Sequence, residues 1–422
     1  MFRRGMFYNY LSIYLRFFLG LSVTETTLFA TLPMGLNILF QALVWGPLSD
    51  RVQLRRSLVM LGEAAAAVCT VLVWYLHTLP GSRHAAGYVI IVGLSVVEAF
   101  WSMSNVGWSA LLSDLYPANE RAGLQGRLLS LGGVGRMVGI WTGGLAYDGL
   151  SQFYDGWGFD KGLLFFIASG IMLASTIPMF FMPEGGVARS ERLGRKAVHE
   201  GSGPASAKSG PLSKRFLFFL LAMVFINFGK NSVALTKSQY LSLDTGFDVS
   251  SSVLSYVLNM ASIAILVIGL FVNRLSKRLM DGTLLLAGTG IALLYLVGFA
   301  LSNSLPLLFV SNFLSGASQV VIRASSYSYA SRLIPPSARA RQFALYNATH
   351  FLSWGVPATL MAGPIVDGLT RSGVSQDLSY RVSFLAAASL VVIGAVVLTA
   401  VNRMGGAGEE TDQGSPVGAQ LD

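Results

Sequence analysis

The sequence predicts an all-α integral membrane protein of twelve helices, built as two six-helix pseudo-repeats. Of 422 residues, 53% are apolar and 12% charged. The apolar residues fall in runs of about 20 broken by short polar loops, the length a helix needs to cross the hydrocarbon core with its backbone satisfied. A short pattern also occurs twice, 223 positions apart, each time after such a run: Gly46-Pro-Leu-Ser-Asp50-Arg51-Val-Gln-Leu-Arg55-Arg56 and Gly269-Leu-Phe-Val-Asn273-Arg274-Leu-Ser-Lys277-Arg278. Pro117 and Pro336, Arg121 and Arg339, and Gly144-Leu-Ala-Tyr-Asp148-Gly149 and Pro364-Ile-Val-Asp367-Gly368 keep nearly the same offset. Duplicated halves of this kind are a common plan for membrane transporters.

Taken in order, the runs predict helices over 5–22, 26–48, 57–79, 86–113, 125–147 and 162–182, then 216–240, 251–273, 282–301, 306–331, 340–366 and 381–402. The expected units are an N-terminal bundle (1–183), a flexible linker (184–215), a C-terminal bundle (216–403) and a disordered tail (404–422). The linker is rich in Gly, Ser, Lys and Arg, and the tail sets Glu409, Glu410 and Asp412 among glycines. The net charge of +9 is spread over loops and forms no single stripe, so orientation in a membrane explains it better than nucleic acid. Basic residues gather in the loops after helices 2, 4, 6, 8 and 10, while Asp148, Asp155, Asp160, Asp244, Asp248, Asp367 and Asp377 fall in the opposite loops. The even-numbered loops and both termini are therefore expected in the cytoplasm, with the chain in the cell membrane.

Several chemistries find no support. The single Cys69 lies in an apolar helix and allows no intrachain disulfide. The start, Met1-Phe-Arg3-Arg4-Gly-Met-Phe, supplies only the cationic part of a signal peptide. No phosphate-binding Gly-Lys-Ser/Thr loop occurs, and the four histidines (His77, His84, His199, His350) have no metal-site spacing. Gly132-Gly133-Val-Gly135 falls inside a membrane helix instead of after a strand. The reading is thus of a non-enzyme without cofactor or metal.

Twelve helices in two halves, a long basic central loop and Gly-x-x-x-Asp-Arg after helix 2 make the chain resemble the major facilitator superfamily over nearly its whole length. The resemblance implies a cytoplasmic gate, carried here by Gly46, Asp50, Arg51 and Arg55 and, in the second copy, by Gly269, Asn273 and Arg274. This sequence departs from the family pattern at Gln53 and Leu54, and at Asn273, which stands where the first copy has Asp50. Membrane-orienting charge is the alternative role of Arg51, Arg55 and Arg56.

Helix 5, with Gly126, Gly135, Gly139, Gly143 and Gly144, is similar to a signature of the family's drug and proton antiporters, except that Ile140 replaces the proline. Close helix packing on small residues is the other reading of Gly135, Gly139, Gly143 and Gly144. In helix 11, Gly355-Val-Pro357 and Gly363-Pro364 predict a bend. Tyr14-Leu15-Arg16 resembles the outer end of the family's helix 1 with only about 13 residues before it, too few for a full span. Helix 1 is then short or shifted, or the start lies further upstream, the reading favoured here.

Ionisable groups inside a membrane helix are costly unless paired or hydrated, which makes them the main candidates for function. They are Glu98 in helix 4, Arg136 in helix 5, Lys230 beside Asn227 in helix 7 and Arg323 in helix 10, with Glu63 and His350 nearer helix ends. The resemblance implies that helices 1, 4, 7 and 10 line the central cavity. Glu98 would carry a coupling proton, or else pair with Arg136 or Arg323. Lys230 and Arg323 would bind an anionic group, or else serve as inter-helix contacts. Gln319, Ser326 and Tyr327 join Asn227 as polar cavity candidates; such side chains also act as helix glue.

The expected function is secondary transport of a small solute by alternating access, with protons as coupling ion and export as the leading direction. Uptake or exchange of an anionic metabolite is the alternative, and a non-transporting scaffold or receptor is the reading from another class. The expected partners are the solute, protons and the lipid bilayer, with no nucleic acid, and the protein is expected to be a monomer.

Overall fold

A computed structural model describes residues 1–116, 118–186, 212–276, 278–334 and 339–409. The described residues form helices and no strand. The membrane helices are α1 (Phe2–Ile13, continued by a π-turn at Tyr14–Phe18), α2 (Val23–Val52), α3 (Arg55–His77), α4 (Arg83–Leu115), α5 (Ala118–Tyr147) and α6 (Leu163–Phe181). The second half holds α7 (Lys214–Ser232, then Thr236–Leu241 after a turn), α8 (Ser251–Ser276), α9 (Asp281–Leu301), α10 (Leu305–Leu333), α11 (Arg339–Phe351, then Ala358–Ala362 and Gly363–Arg371) and α12 (Gln376–Glu409). Nine of the described helices are long and apolar enough to cross a membrane by length and composition. Pro117 and Pro336, the side chains of Arg121, Asn273 and Arg339, and most of the linker and tail lie outside the described residues.

The two halves repeat the same pairings. In the first, α3 packs on α4 and α6, and α2 on α4; in the second, α9 packs on α10 and α12, and α8 on α10. The halves meet along α5 with α8 and along α2 with α11. Large apolar side chains such as Leu43, Leu61, Leu270 and Leu360 remain on the surface, as lipid contact requires.

Local chemistry explains the breaks. Pro47 and Pro364 each lack an N–H, and each ring would strike the carbonyl four residues earlier. The helix widens just upstream, into π-turns at Gln41–Trp45 and Ala358–Ala362. The N–H of Gly46 then reaches back to the Gln41 carbonyl, and that of Gly363 to Ala358. A Cβ on Gly46 would stand 2.9 Å from that same Gln41 oxygen, so this glycine serves its own helix and touches no neighbouring one. The interruption expected in α11 is present, between Phe351 and Ala358, and α2 carries a π-turn, which the sequence reading did not include, matching the one before Gly363.

The linker begins with anchored chain: Glu184 accepts from Arg56 Nε at 3.1 Å and from the Ser57 N–H at 2.8 Å. At the other end α12 runs on to Glu409, into the segment expected as tail.

Candidate substrate cavity and gates

We call the face carrying the basic loops inner and the opposite face outer. At the outer face the halves are bonded together. Asp367 on α11 accepts the backbone N–H of Val23 at 2.9 Å and of Thr24 at 2.8 Å, in the first turn of α2. Ser251, which opens α8, has its hydroxyl 2.6 Å from Asp148 Oδ2 and 2.8 Å from the Gly144 carbonyl at the end of α5. Gln239 on α7 donates to the Ser12 carbonyl and to Thr26 Oγ1, while Tyr380 donates to its carbonyl oxygen. Thr359 meets Thr27 and Thr31 at 2.8 and 2.7 Å. Glycine permits this closeness: a Cβ on Gly144 would lie 2.7 Å from the Ser251 carbonyl oxygen, and one on Gly363 2.7 Å from Thr24 Cα.

At the inner face, among the described residues, a Cβ on Gly269 would meet nothing within 4 Å and the Asp50 side chain is 80% exposed, whereas the outer face carries the bonds between the halves described above.

Within the first copy of the repeated pattern, Arg55 is the organising residue. Its buried guanidinium reaches Ser49 Oγ, Gln53 Oε1 at 3.2 Å, and Asp50 and Asp114 at 3.5 Å each. Arg51 and Arg274 are exposed, and the Asn273 side chain lies outside the described residues.

On α5 the glycines face α1 and α8. A Cβ on Gly139 would fall inside contact distance of the Phe2 carbonyl, and one on Gly143 would stand 2.6 Å from the Met6 carbonyl oxygen. Gly5 of α1 presses in turn on the Arg136 carbonyl. Gly135 has only ordinary contact with Phe2, at 3.7 Å. Gly139, Gly143 and Gly144 are thus placed by close packing.

Glu98 on α4 is the centre of the first-half site. It pairs with Arg3 at 3.3 Å, accepts from Tyr8 at 2.7 Å on Oε1, and accepts from Asn37 at 3.1 Å on Oε2. Gln41 in turn donates to Asn37 at 2.6 Å. The partner is therefore Arg3, where the sequence reading had offered Arg136 or Arg323. Arg3 and Glu98 are both buried. The guanidiniums of Arg3 and Arg4 lie 5.1 and 4.8 Å from the ring centroid of Trp101, a cation–π arrangement. Glu63 on α3 accepts from Ser104 at 2.9 Å.

The second half is basic. Gln319, Arg323 and Tyr327 recur every fourth residue on α10 and are all exposed, a polar stripe on one face of that helix. Tyr327 also packs on Phe343 of α11, with ring centroids 5.3 Å apart. Lys230 on α7 is buried, and Arg323 and His350 lie within electrostatic range of it. Ser326 and Asn227 are fully buried: Ser326 bonds Tyr346 at 2.8 Å, and Asn227 makes a long 3.4 Å contact with Thr349. Nearer the outer seal, Lys237 donates to Asn312 Oδ1 at 2.9 Å and has Arg136 as its charged neighbour.

Arg3, Tyr8, Asn37 and Lys237 were not singled out from the sequence. Lys237 was the one with a signal, since it lies two turns from Lys230 on the same helix. A separate apolar groove of about 390 Å³ runs beside α5 and α8, past Trp141 and Tyr256, and no charged side chain lines it.

The sequence profile of the Major Facilitator Superfamily matches residues 1–358 and 219–416. No curated protein matches the chain. Among solved structures, the fold is similar to a bacterial homologue of the human lysosomal transporter Spinster, in an inward-facing and unoccupied conformation, with 17% identity, a TM-score of 0.66, and coverage of 95% of this chain and 94% of that one. The nucleoside transporter NupG is similar at 14% identity and a TM-score of 0.70, covering 95% of both chains. The peptide transporter POT in complex with sulfate gives 14% identity and a TM-score of 0.62, covering 95% of this chain and 93% of that one.

Proposed function

Because this chain belongs to the major facilitator superfamily, we propose that it is a secondary transporter that moves a small organic anion through its central cavity by alternating access. One observation carries the anionic reading: among the ionisable side chains described above on the membrane helices, basic ones outnumber acidic ones, and the basic ones neighbour one another. Lys230 has Arg323 and His350 for charged neighbours, Arg136 has Arg4 and Lys237, and the carboxylates Glu63 and Glu98 stand with Arg3 on the other wall. Unpaired cations in a water-filled membrane cavity favour an anion that supplies the missing counter-charge. The basic-loop face is the cytoplasmic one in this proposal, with both termini on that side and the open state facing inward.

The coupling ion is the proton, and Glu98 is its carrier. Glu98 on α4 takes donors from two other helices: Arg3 and Tyr8 from α1, and Asn37 from α2. Arg3 and Tyr8 both come from α1, so movement of α1 away from α4 would withdraw two of the three donors. Export by proton antiport is the second reading, with the same carboxylate as carrier.

The test is pH-gradient-driven flux in proteoliposomes, with small organic anions and amphipathic cations offered in parallel, for wild type beside Glu98→Gln. The proposal expects gradient-driven flux of anions that the variant loses. Flux confined to cations would replace the anionic reading by the export reading, and gradient-driven flux unchanged in the variant would remove Glu98 as the proton carrier.

A further inference from the structure

The two copies of the repeated pattern treat their arginines differently. In the first, Arg55 has Asp50 and Asp114 beside it, and Arg56 pairs with Glu184 at 3.1 Å and donates to the Met182 carbonyl at 2.9 Å. In the second, Arg274 and Arg278 are both exposed, and neither makes an ion pair among the described residues. The nearest acid along the chain, Asp281, is already engaged: it is buried, pairs with Arg332 at 3.0 Å and accepts from Ser328 at 2.8 Å. Arg274 and Arg278 are four residues apart at the end of α8, so they rise from the same side of it. That helix starts at Ser251 in the outer seal, which puts its far end at the inner face. With Phe271 and Leu275 the two arginines line an open groove of about 380 Å³, and the Arg274 guanidinium lies 5.9 Å from the Phe271 ring centroid. Phe271 and Leu275 are exposed too, and the space beside Gly269 shows that no neighbouring helix among the described residues covers the preceding turn.

We propose that Arg274 and Arg278 bind the headgroup phosphate of an anionic phospholipid from the inner leaflet. The groove joins two cations without a counter-charge to exposed apolar surface at a membrane boundary. A soluble anion would satisfy the cations and leave Phe271 and Leu275 in water. A phospholipid satisfies both, with its phosphate at the guanidiniums and its acyl chains along the apolar side chains. Arginine suits this role because its planar fork gives two parallel N–H donors to a pair of phosphate oxygens. A zwitterionic headgroup brings its own cation against the arginines and gains less. The proposal goes beyond the transport reading and does not depend on what solute the protein carries.

The experiment is native mass spectrometry of the purified full chain titrated with dioleoyl phosphatidylglycerol and, separately, dioleoyl phosphatidylcholine. In wild type the phosphatidylglycerol should bind at least about tenfold more tightly. Arg274→Gln and Arg278→Gln should each weaken it about fivefold, the effect of one basic residue at a membrane surface, and the double variant should bring it near phosphatidylcholine. Both positions are exposed, so the melting temperature should not change. Arg371→Gln, which removes an exposed arginine at the end of α11 on the outer face, should leave the preference intact. Equal affinity for the two lipids in wild type, a preference that survives in the double variant, or an equal loss in Arg371→Gln, the mark of net charge alone, overturns the proposal. Glycerol 3-phosphate should not displace the phosphatidylglycerol at matched concentration; displacement would make this a site for free phosphate and overturn the lipid assignment.

Discussion

Asp367 caps Thr24: the carboxylate at the end of α11 accepts the Thr24 N–H at 2.8 Å and takes that of Val23 with its other oxygen. The capping box of Ser22 and Glu25 satisfies the two remaining N–H groups of that turn. A buried carboxylate on a helix N-terminus gains from charge-assisted bonds and from the helix dipole, and here both gains tie one half of the molecule to the other. Asp148 also ties the halves, but by accepting the side-chain hydroxyl of Ser251 at the start of α8. The pattern Gly-x-x-x-Asp therefore marks both outer seals, at Gly144 to Asp148 and at Gly363 to Asp367. At the inner face Gly46 to Asp50 and Gly269 to Asn273 repeat the spacing, and Gly269 meets no neighbour.

Asp367→Asn keeps the size of the side chain and removes its charge, which should loosen the outer seal. In a Cys69→Ser background, a cysteine at Thr359 should then react with a membrane-impermeant thiol reagent about tenfold faster than without the change, as expected for loss of roughly 1.5 kcal/mol from the sealed state. Unchanged labelling would mean that the cap does not hold the seal.

Two neighbouring glycines of α5 should behave differently. Gly139→Ala forces its methyl group into the Phe2 carbonyl, so α1 must move; a cost of about 1–3 kcal/mol is expected, read as a lower melting temperature. Gly135→Ala meets only an ordinary contact at 3.7 Å and gains helix propensity, so its stability should stay near or slightly above wild type. Equal losses at both positions would count against the packing role of the stripe.

The gate pattern divides in the same way. Arg55→Ala leaves Ser49 and Asp114 without their cation, and should destabilise the α2–α3 turn by about 1–3 kcal/mol, with solvent screening at Asp114 moderating the loss. Asp50→Ala removes an exposed carboxylate whose ion pair with Arg55 is 3.5 Å long, and should change stability by no more than about 0.5 kcal/mol. Thermal unfolding of the two variants in detergent checks the ranking, and a larger loss at Asp50 would reverse it.

The helices were legible in the sequence because lipid imposes long apolar runs, and the α11 bend because Gly363-Pro364 is visible as a breaker. The α2 π-turn was equally visible as Gly46-Pro47, but its place in the repeated pattern drew a different reading, as part of a gate. Glu98 and Lys230 stood out as charges in apolar helices. Their surroundings did not, since Arg3 and Glu98 are 95 positions apart in the chain and only packing brings α1 beside α4. Arg3 was read as part of a cationic start. The cap on Thr24 was hidden for another reason, because its donors are backbone groups, which have no sequence signature.

The central claim, that the protein carries an anion, is tested most directly at Arg323, which is exposed on α10 and can be changed without opening a packed core. The measurement is flux of organic anions in proteoliposomes for wild type and Arg323→Gln, at matched melting temperature. The account predicts anion flux in wild type and a loss of about tenfold or more in the variant. Anion flux unchanged by the substitution, or transport confined to cationic and neutral solutes, would contradict it.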